Sequence, residues 1–198
     1  EASVQAAIDA TKEKFGAIHV CVNCAGVGSA MKTVGRENKP HDLGVFNMVV
    51  QINLIGTFNV ARLAAAAMAE NEPGEDNERG LIVNTASVAA FDGQVGQVAY
   101  AATKGGVVGM TLPIARDLAP LGIRCNTIAP GLIKTDFARA LWQNPKLLAS
   151  IERGTPLGRI GQPDDIGPIA VFLAADAGAY ITGQVLVADG GMTSRAAW

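Results

Sequence analysis

The sequence predicts a doubly wound α/β fold, a parallel sheet covered by helices on both faces, on three observations. Short apolar runs alternate with long helical patterns from one end of the chain to the other. The runs are apolar at successive positions rather than at every second one, as strands buried on both faces require. At 198 residues, 49% of them hydrophobic, the chain fits one globular domain across residues 1–198 with a real core.

The elements follow in order. Residues 2–15 read as an amphipathic helix, followed by the apolar strand "AIHVCV" at 17–22 and the turn "NCAG" at 23–26. A long helix over 42–69 comes next, then the polar loop "ENEPGEDNERG" and the strand "LIVNTAS" at 81–87. The third unit is a helix over 98–120 and the strand "IRCNTIAP" at 123–130, joined only by "LG". Gly105, Gly106, Gly109 and Pro113 make that helix intrinsically weak, so packing must support it. A helical segment over 136–153 follows, then a helix capped by "QPDD" that runs to 175, and finally the strand "GQVLVAD" at 183–189.

Composition narrows the function. A formal net charge of -2 with no basic block leaves no electrostatic footprint for nucleic acid. No apolar run reaches the roughly 18 residues of a membrane span, and neither partner is expected. Cys21, Cys24 and Cys125 are too few and too irregular for a disulfide framework and suit a reducing compartment, the cytoplasm or the mitochondrial matrix. His19 and His41 join no cluster with zinc-like spacing, so no metal is expected.

The chemistry concentrates in "NTASVAAFDGQVGQVAYAATKGG", residues 84–106. Ser87 ends a strand, the place where sheets of this class bind ligands. Tyr100 and Lys104 stand four residues apart on one helical face. A tyrosine titrates near pKa ~10, and a neighbouring ammonium shifts it downward, toward a useful proton donor and acceptor near neutrality. The Ser87 hydroxyl then serves the oxygen on which charge develops when a carbonyl accepts a hydride. An isolated Y-x-x-x-K pair is common by chance and usually means a half-buried tyrosine and a snorkelling lysine. The serine at the strand end, in this fold class, favours the catalytic reading.

This run resembles the active-site signature of the short-chain dehydrogenases and reductases, and the resemblance covers essentially the whole chain. "VNCAG" at 22–26 is similar to the family's N-x-A-G turn, "INLIG" at 52–56 to its asparagine-bearing helix, and "APGLIKT" at 129–135 to its P-G-x-x-x-T loop. The resemblance implies a Rossmann-like fold and catalytic roles for Asn53, Ser87, Tyr100 and Lys104. In the family the asparagine holds, through its backbone, a water that relays protons to the lysine. It also implies that Asn23, Cys24, Ala25 and Gly26 lie along the dinucleotide. Pro130, Gly131, Ile133 and Thr135 would flank the nicotinamide, and Tyr100 and Lys104 its ribose. Residues 18–132 are most similar to type 2 3-hydroxyacyl-CoA dehydrogenases, which oxidise short 3-hydroxyacyl-CoA thioesters with NAD. On that likeness Gln94 joins Ser87 and Tyr100 at the substrate, although a surface amide is an equal reading. Residues 133–195 look more like carbonyl reductases and 3-oxoacyl-carrier-protein reductases, which leaves the substrate open between an acyl-CoA and another small alcohol or ketone. NAD follows from the subfamily alone, and NADP stays open. Family members pair through the two helices over 42–69 and 98–120 and through the last strand, so a homotetramer or homodimer is expected.

Two glycine-rich or cysteine-rich stretches are decoys. "CVNC" places Cys21 inside an apolar strand, where a redox pair wants it exposed at a helix N-terminus. "GVGSAM" lacks the third glycine of a pyrophosphate loop. The family's T-G-x-x-x-G-x-G loop and the next two strands have no counterpart here. The fold is therefore expected to lack its first βαβ portion, about 50 to 60 residues of the working protein, leaving "IHVCV" as an open apolar edge. A non-catalytic scaffold subunit with the same fold, or an epimerase or dehydratase using the same Tyr/Lys pair, remains an alternative.

Overall fold

The computed structural model describes residues 1–194. Four parallel strands, β1 (Val20–Asn23), β2 (Gly80–Thr85), β3 (Ile123–Pro130) and β4 (Val185–Ala188), pair in sequential order. Register is set by Val20 opposite Leu81, Gly80 opposite Ile123 and Thr127 opposite Val185. All four carboxyl ends therefore lie at one edge of the sheet, which is where this class of sheet binds ligands.

Alternation of side chains along β2 divides the core in two. Ile82 faces helices α1 (Ala2–Phe15) and α3 (Gly56–Met68), packing with Ile8, Ala61, Ala64, Ala65 and Met68. Leu81 and Val83 face the other way, against Ile128 of β3 and Leu173 of α7 (Gly167–Ala174). Because both faces of the sheet are covered in this way, β2 and β3 are buried at nearly every position. β1 is an edge strand whose Val20 and Val22 are 45% and 47% exposed, in line with the apolar edge expected of this stretch. The polar groups inside β2 and β3 are paired. Asn84 accepts from Asn23 Nδ2 at 2.9 Å, Asn126 donates to the Ile181 carbonyl, and Arg124 bonds Glu78 and the Gly178 carbonyl.

The second helix starts at Leu43, where Asp42 accepts from the Val45 N–H, and runs unbroken to Met68. It is not uniformly α-helical: α2 (Leu43–Val50) passes through a π turn at Gln51–Ile55 into α3. By length and composition the stretch Leu43–Met68 is apolar enough to cross a membrane, a property the count of uninterrupted apolar residues misses because Asn, Gln and Thr are scattered through it. Here it packs on the sheet through its alanines and Met68 and carries Asn53 inward. The catalytic-candidate helix α4 (Val98–Leu118) stays continuous for 21 residues despite Pro113. Residues 136–153, expected as one helical segment, are split into a 3-10 turn, α5 (Arg139–Trp142) and α6 (Pro145–Gly154). Asn144 causes the break by capping α6, its side chain accepting from the Lys146 and Leu147 N–H groups ahead of Pro145 at the first helical position.

Candidate active site

The residues singled out at 84–106 converge at the carboxyl end of β2. The strand ends at Thr85, whose carbonyl oxygen accepts from Lys104 Nζ at 2.7 Å. Ser87 follows in extended backbone and caps the turn Val88–Ala90, its Oγ accepting from the Ala89 N–H at 3.1 Å. Tyr100 and Lys104 share one face of α4, with the ammonium 5.6 Å from the centre of the Tyr100 ring.

Asn53 builds the opposite wall. The π turn directs its side chain into the protein, where it is fully buried. Its Oδ1 accepts from the Val27 N–H at 2.8 Å, and its Nδ2 donates to the Val27 carbonyl at 2.9 Å and to Thr103 Oγ1 at 3.2 Å. The side chain thus clamps the loop after β1 to α4. The Asn53 backbone carbonyl accepts from Thr57 Oγ1 at 2.7 Å. Gly26 fits between these groups because it has no side chain: a Cβ there would lie 3.2 Å from Asn53 Oδ1 and 3.8 Å from Lys104 Nζ.

The electrostatics differ from the expectation in one respect. Lys104 was expected to pull the Tyr100 pKa down. Burial instead pushes the Tyr100 hydroxyl above its ordinary value, and the opposing pull comes from a hydrogen bond with Ser87. The cause is position, since the ammonium lies over the ring. It is also itself pushed down to about 8 by burial, with Cys24 acting the other way.

Along the crevice, Cys24 and Ala25 are exposed and Thr85 Oγ1 donates to Cys24 Sγ at 3.8 Å. The Asn23 amide turns away into the sheet toward Asn84. Cys21 is half-buried and its thiol is pushed up to about 11, which suits a packing role. Beyond β3, Gly131 donates to the Ala188 carbonyl, Ile133 bridges to Gly161, and Thr135 precedes the turn Asp136–Ala138, its carbonyl accepting from the Ala138 N–H. Trp142 Nε1 donates to the Thr135 carbonyl at 2.8 Å and anchors this segment. Gln94 lies on an exposed turn, its Nε2 donating to the Asp92 carbonyl, and lines a shallow cleft with Lys32, Thr33 and Val34. That cleft does not include Ser87 or Tyr100.

Thr85, Thr103 and Val27 complete the site through a carbonyl, a hydroxyl and a peptide group, and no residue pattern announces them. Phe137, whose ring centre is 6.1 Å from that of Tyr100, was also missed.

The donor set suits a ribose. Of the three N–H donors of Lys104 one is taken by Thr85, leaving two, over the Tyr100 ring, that could meet a pair of vicinal hydroxyls. Such a pair, opening on the crevice at the carboxyl ends of a parallel sheet, marks a nucleotide-dependent oxidoreductase of the doubly wound α/β class. A family model described as enoyl-(acyl carrier protein) reductase matches residues 1–193. A 3-hydroxyacyl-CoA dehydrogenase type-2 from Rattus norvegicus is 49% identical over 191 residues, which are 96% of this chain and 72% of the relative. The crystal structure of 3-hydroxyacyl-CoA dehydrogenase type-2 from Mycobacterium avium superposes with a TM-score of 0.86 at 44% identity, covering 95% of this chain and 71% of that one. A gluconate 5-dehydrogenase from Burkholderia cenocepacia, in complex with NADP and tartrate, gives 0.87 at 35% identity, covering 98% and 72%. The chain belongs to the short-chain dehydrogenase/reductase family.

Proposed function

We propose that this oxidoreductase moves a hydride between NAD and a secondary alcohol or ketone, with short 3-hydroxyacyl thioesters as the substrate class. The observation that carries the chemistry is the convergence of Ser87, Tyr100 and Lys104 at the end of β2. The thioester class is supported by the type-2 relatives, whose identity is well above that of the gluconate 5-dehydrogenase. The same reaction run in reverse is a carbonyl or 3-oxoacyl reductase.

The nicotinamide ring, when bound, supplies or accepts the hydride. Lys104 and Tyr100 would hold its ribose, Cys24, Ala25 and Gly26 would offer backbone along the crevice, and Pro130, Gly131, Ile133 and Thr135 would form the loop beside the ring. Tyr100 exchanges the proton with the substrate oxygen and Ser87 donates a hydrogen bond to that oxygen as charge develops. Asn53 supports the path by which a proton leaves through Lys104. Gln94, bonded to the Asp92 carbonyl on its exposed turn, is left out of this arrangement.

We also propose a homodimer or homotetramer. Met48, Ile52, Ile55 and Phe58 form an exposed apolar stripe running from α2 through the π turn into α3, each at least 40% exposed. Sedimentation that finds a monomer contradicts this.

The decisive experiment measures NADH and NADPH formation with 3-hydroxybutyryl-CoA for the protein and for Tyr100→Phe. Turnover is expected with NAD, falling about 10³-fold in the variant. A variant with ordinary turnover contradicts the mechanism, and binding of neither dinucleotide favours a scaffold.

A further inference from the structure

Phe137 is an aromatic residue left 61% exposed on the turn Asp136–Ala138. Its ring is tilted 37° to that of Tyr100. Its Cζ is the atom that a Cβ on Gly28 would meet at 3.3 Å, so the ring reaches the loop after β1 and a side chain at residue 28 would press on it. One side chain from the segment after β3 therefore lies close both to Tyr100 of α4 and to Gly28 of the loop after β1.

Its position is set by its neighbours in sequence and not by its own burial. The Trp142 bond to the Thr135 carbonyl fixes the residue at the start of the turn, and Lys134 lies over the Trp142 ring at 5.4 Å. Asp136, the charge next to Phe137, is tied to Arg139. What the turn presents beside Tyr100 is aromatic carbon without a donor or acceptor.

We propose that Phe137 selects substrates by the apolar character of the chain attached to the reacting carbon. This rests on the reading of Tyr100 as the proton-exchanging residue. An exposed ring gains burial when an alkyl chain covers it, about fourfold in affinity for each methylene fully removed from water. A polyhydroxylated chain meeting the same surface loses hydrogen bonds to water and finds no replacement. The residue thus turns the site toward aliphatic ketones, secondary alcohols and acyl thioesters and away from sugar acids.

The test measures equilibrium binding, which needs no turnover. Dissociation constants of methyl ketones from butan-2-one to octan-2-one, and of gluconate, are determined by ligand-observed NMR for the protein, Phe137→Leu and Phe137→Ala. The proposal expects affinity to rise about two- to fourfold per methylene in the protein and in the leucine variant. The slope is lost in the alanine variant, and gluconate binds none of the three comparably. Equal slopes in all three proteins, or gluconate bound as well as the ketones, overturn it. Rates on the matching alcohols are measured in parallel, with the pH profile expected unchanged among the three. A protein that binds ketones with the expected slope yet turns over no alcohol refutes the oxidoreductase reading and leaves the role of Phe137 standing.

Discussion

Lys104 Nζ and the Thr85 carbonyl oxygen are 2.7 Å apart, so the end of the central strand β2 supplies the acceptor for the most deeply placed cation of the site. A single hydrogen bond to a neutral carbonyl compensates a buried ammonium only in part. The rest of the cost shows in the pKa of about 8, against an ordinary 10.5.

That difference is worth on the order of 3 kcal/mol, and its sign follows from proton counting. Below pH 8 the lysine is charged in both the folded and the unfolded chain, so the full penalty applies. Between about 8 and 10.5 the unfolded chain holds the proton and the folded one does not, so stability rises with pH. Lys104→Met removes this dependence. Urea unfolding from pH 7 to 10 is expected to show the original protein gaining up to about 3 kcal/mol relative to the variant. Parallel curves would mean that the ammonium is not desolvated.

Asn53 is a second place where folding and site coincide. Replacing it with Ala strands the N–H and the carbonyl of Val27 together, and a loss of about 2 to 4 kcal/mol is expected. Asp is expected to be no better than Ala. A carboxylate accepts from Val27 N–H but faces the Val27 carbonyl without a proton to give it, and the position is fully buried. Chemical denaturation of the two variants compares them directly; an Asp variant as stable as the original would show that the clamp does not hold.

These two residues also mark how far the sequence alone can be read. Helix Ala2–Phe15 and strand Ile123–Pro130 fall where their patterns place them, because each is specified by its own residues. The strand expected at 17–22 is instead Val20–Asn23, since pairing begins only where Leu81 stands opposite. The break before α6 was written in the sequence as Asn144-Pro145, a cap and a first-turn proline. The π turn at Gln51–Ile55 was not, because it depends on where Val27 and Thr103 draw Asn53. Likewise Ser87, Tyr100 and Lys104 are legible through their spacing. The Thr85 carbonyl is a backbone group that any residue would supply, and the Phe137 contact joins segments that only the fold brings together.

Trp142 holds the segment between β3 and α6 through one N–H bond to the Thr135 carbonyl. Trp142→Phe keeps the ring under Lys134 and removes only the donor. The expected result is a stability loss of about 1 kcal/mol and a severalfold rise in KM, with kcat kept within about twofold. Steady-state kinetics decide: a fall in kcat with KM unchanged would place Trp142 in the chemical step and not in positioning.

Ser87 is the group that opposes the effect of burial on Tyr100. A hydroxyl that donates to the phenolate oxygen favours the charged form, so Ser87→Ala raises the Tyr100 pKa further. The chain has two tyrosines, and Tyr180→Phe leaves Tyr100 as the only one to titrate. Tyr180 is fully exposed, so this background is expected to fold unchanged. In it, the titration curve read from the ultraviolet absorption of tyrosinate is expected to move to higher pH on Ser87→Ala, as the loss of a stabilising hydrogen bond to the charged form requires. Ser87→Thr retains the hydroxyl and should return the curve toward its original position. An unshifted curve in the alanine variant would separate Ser87 from Tyr100 and leave the serine with only its turn-capping bond to Ala89.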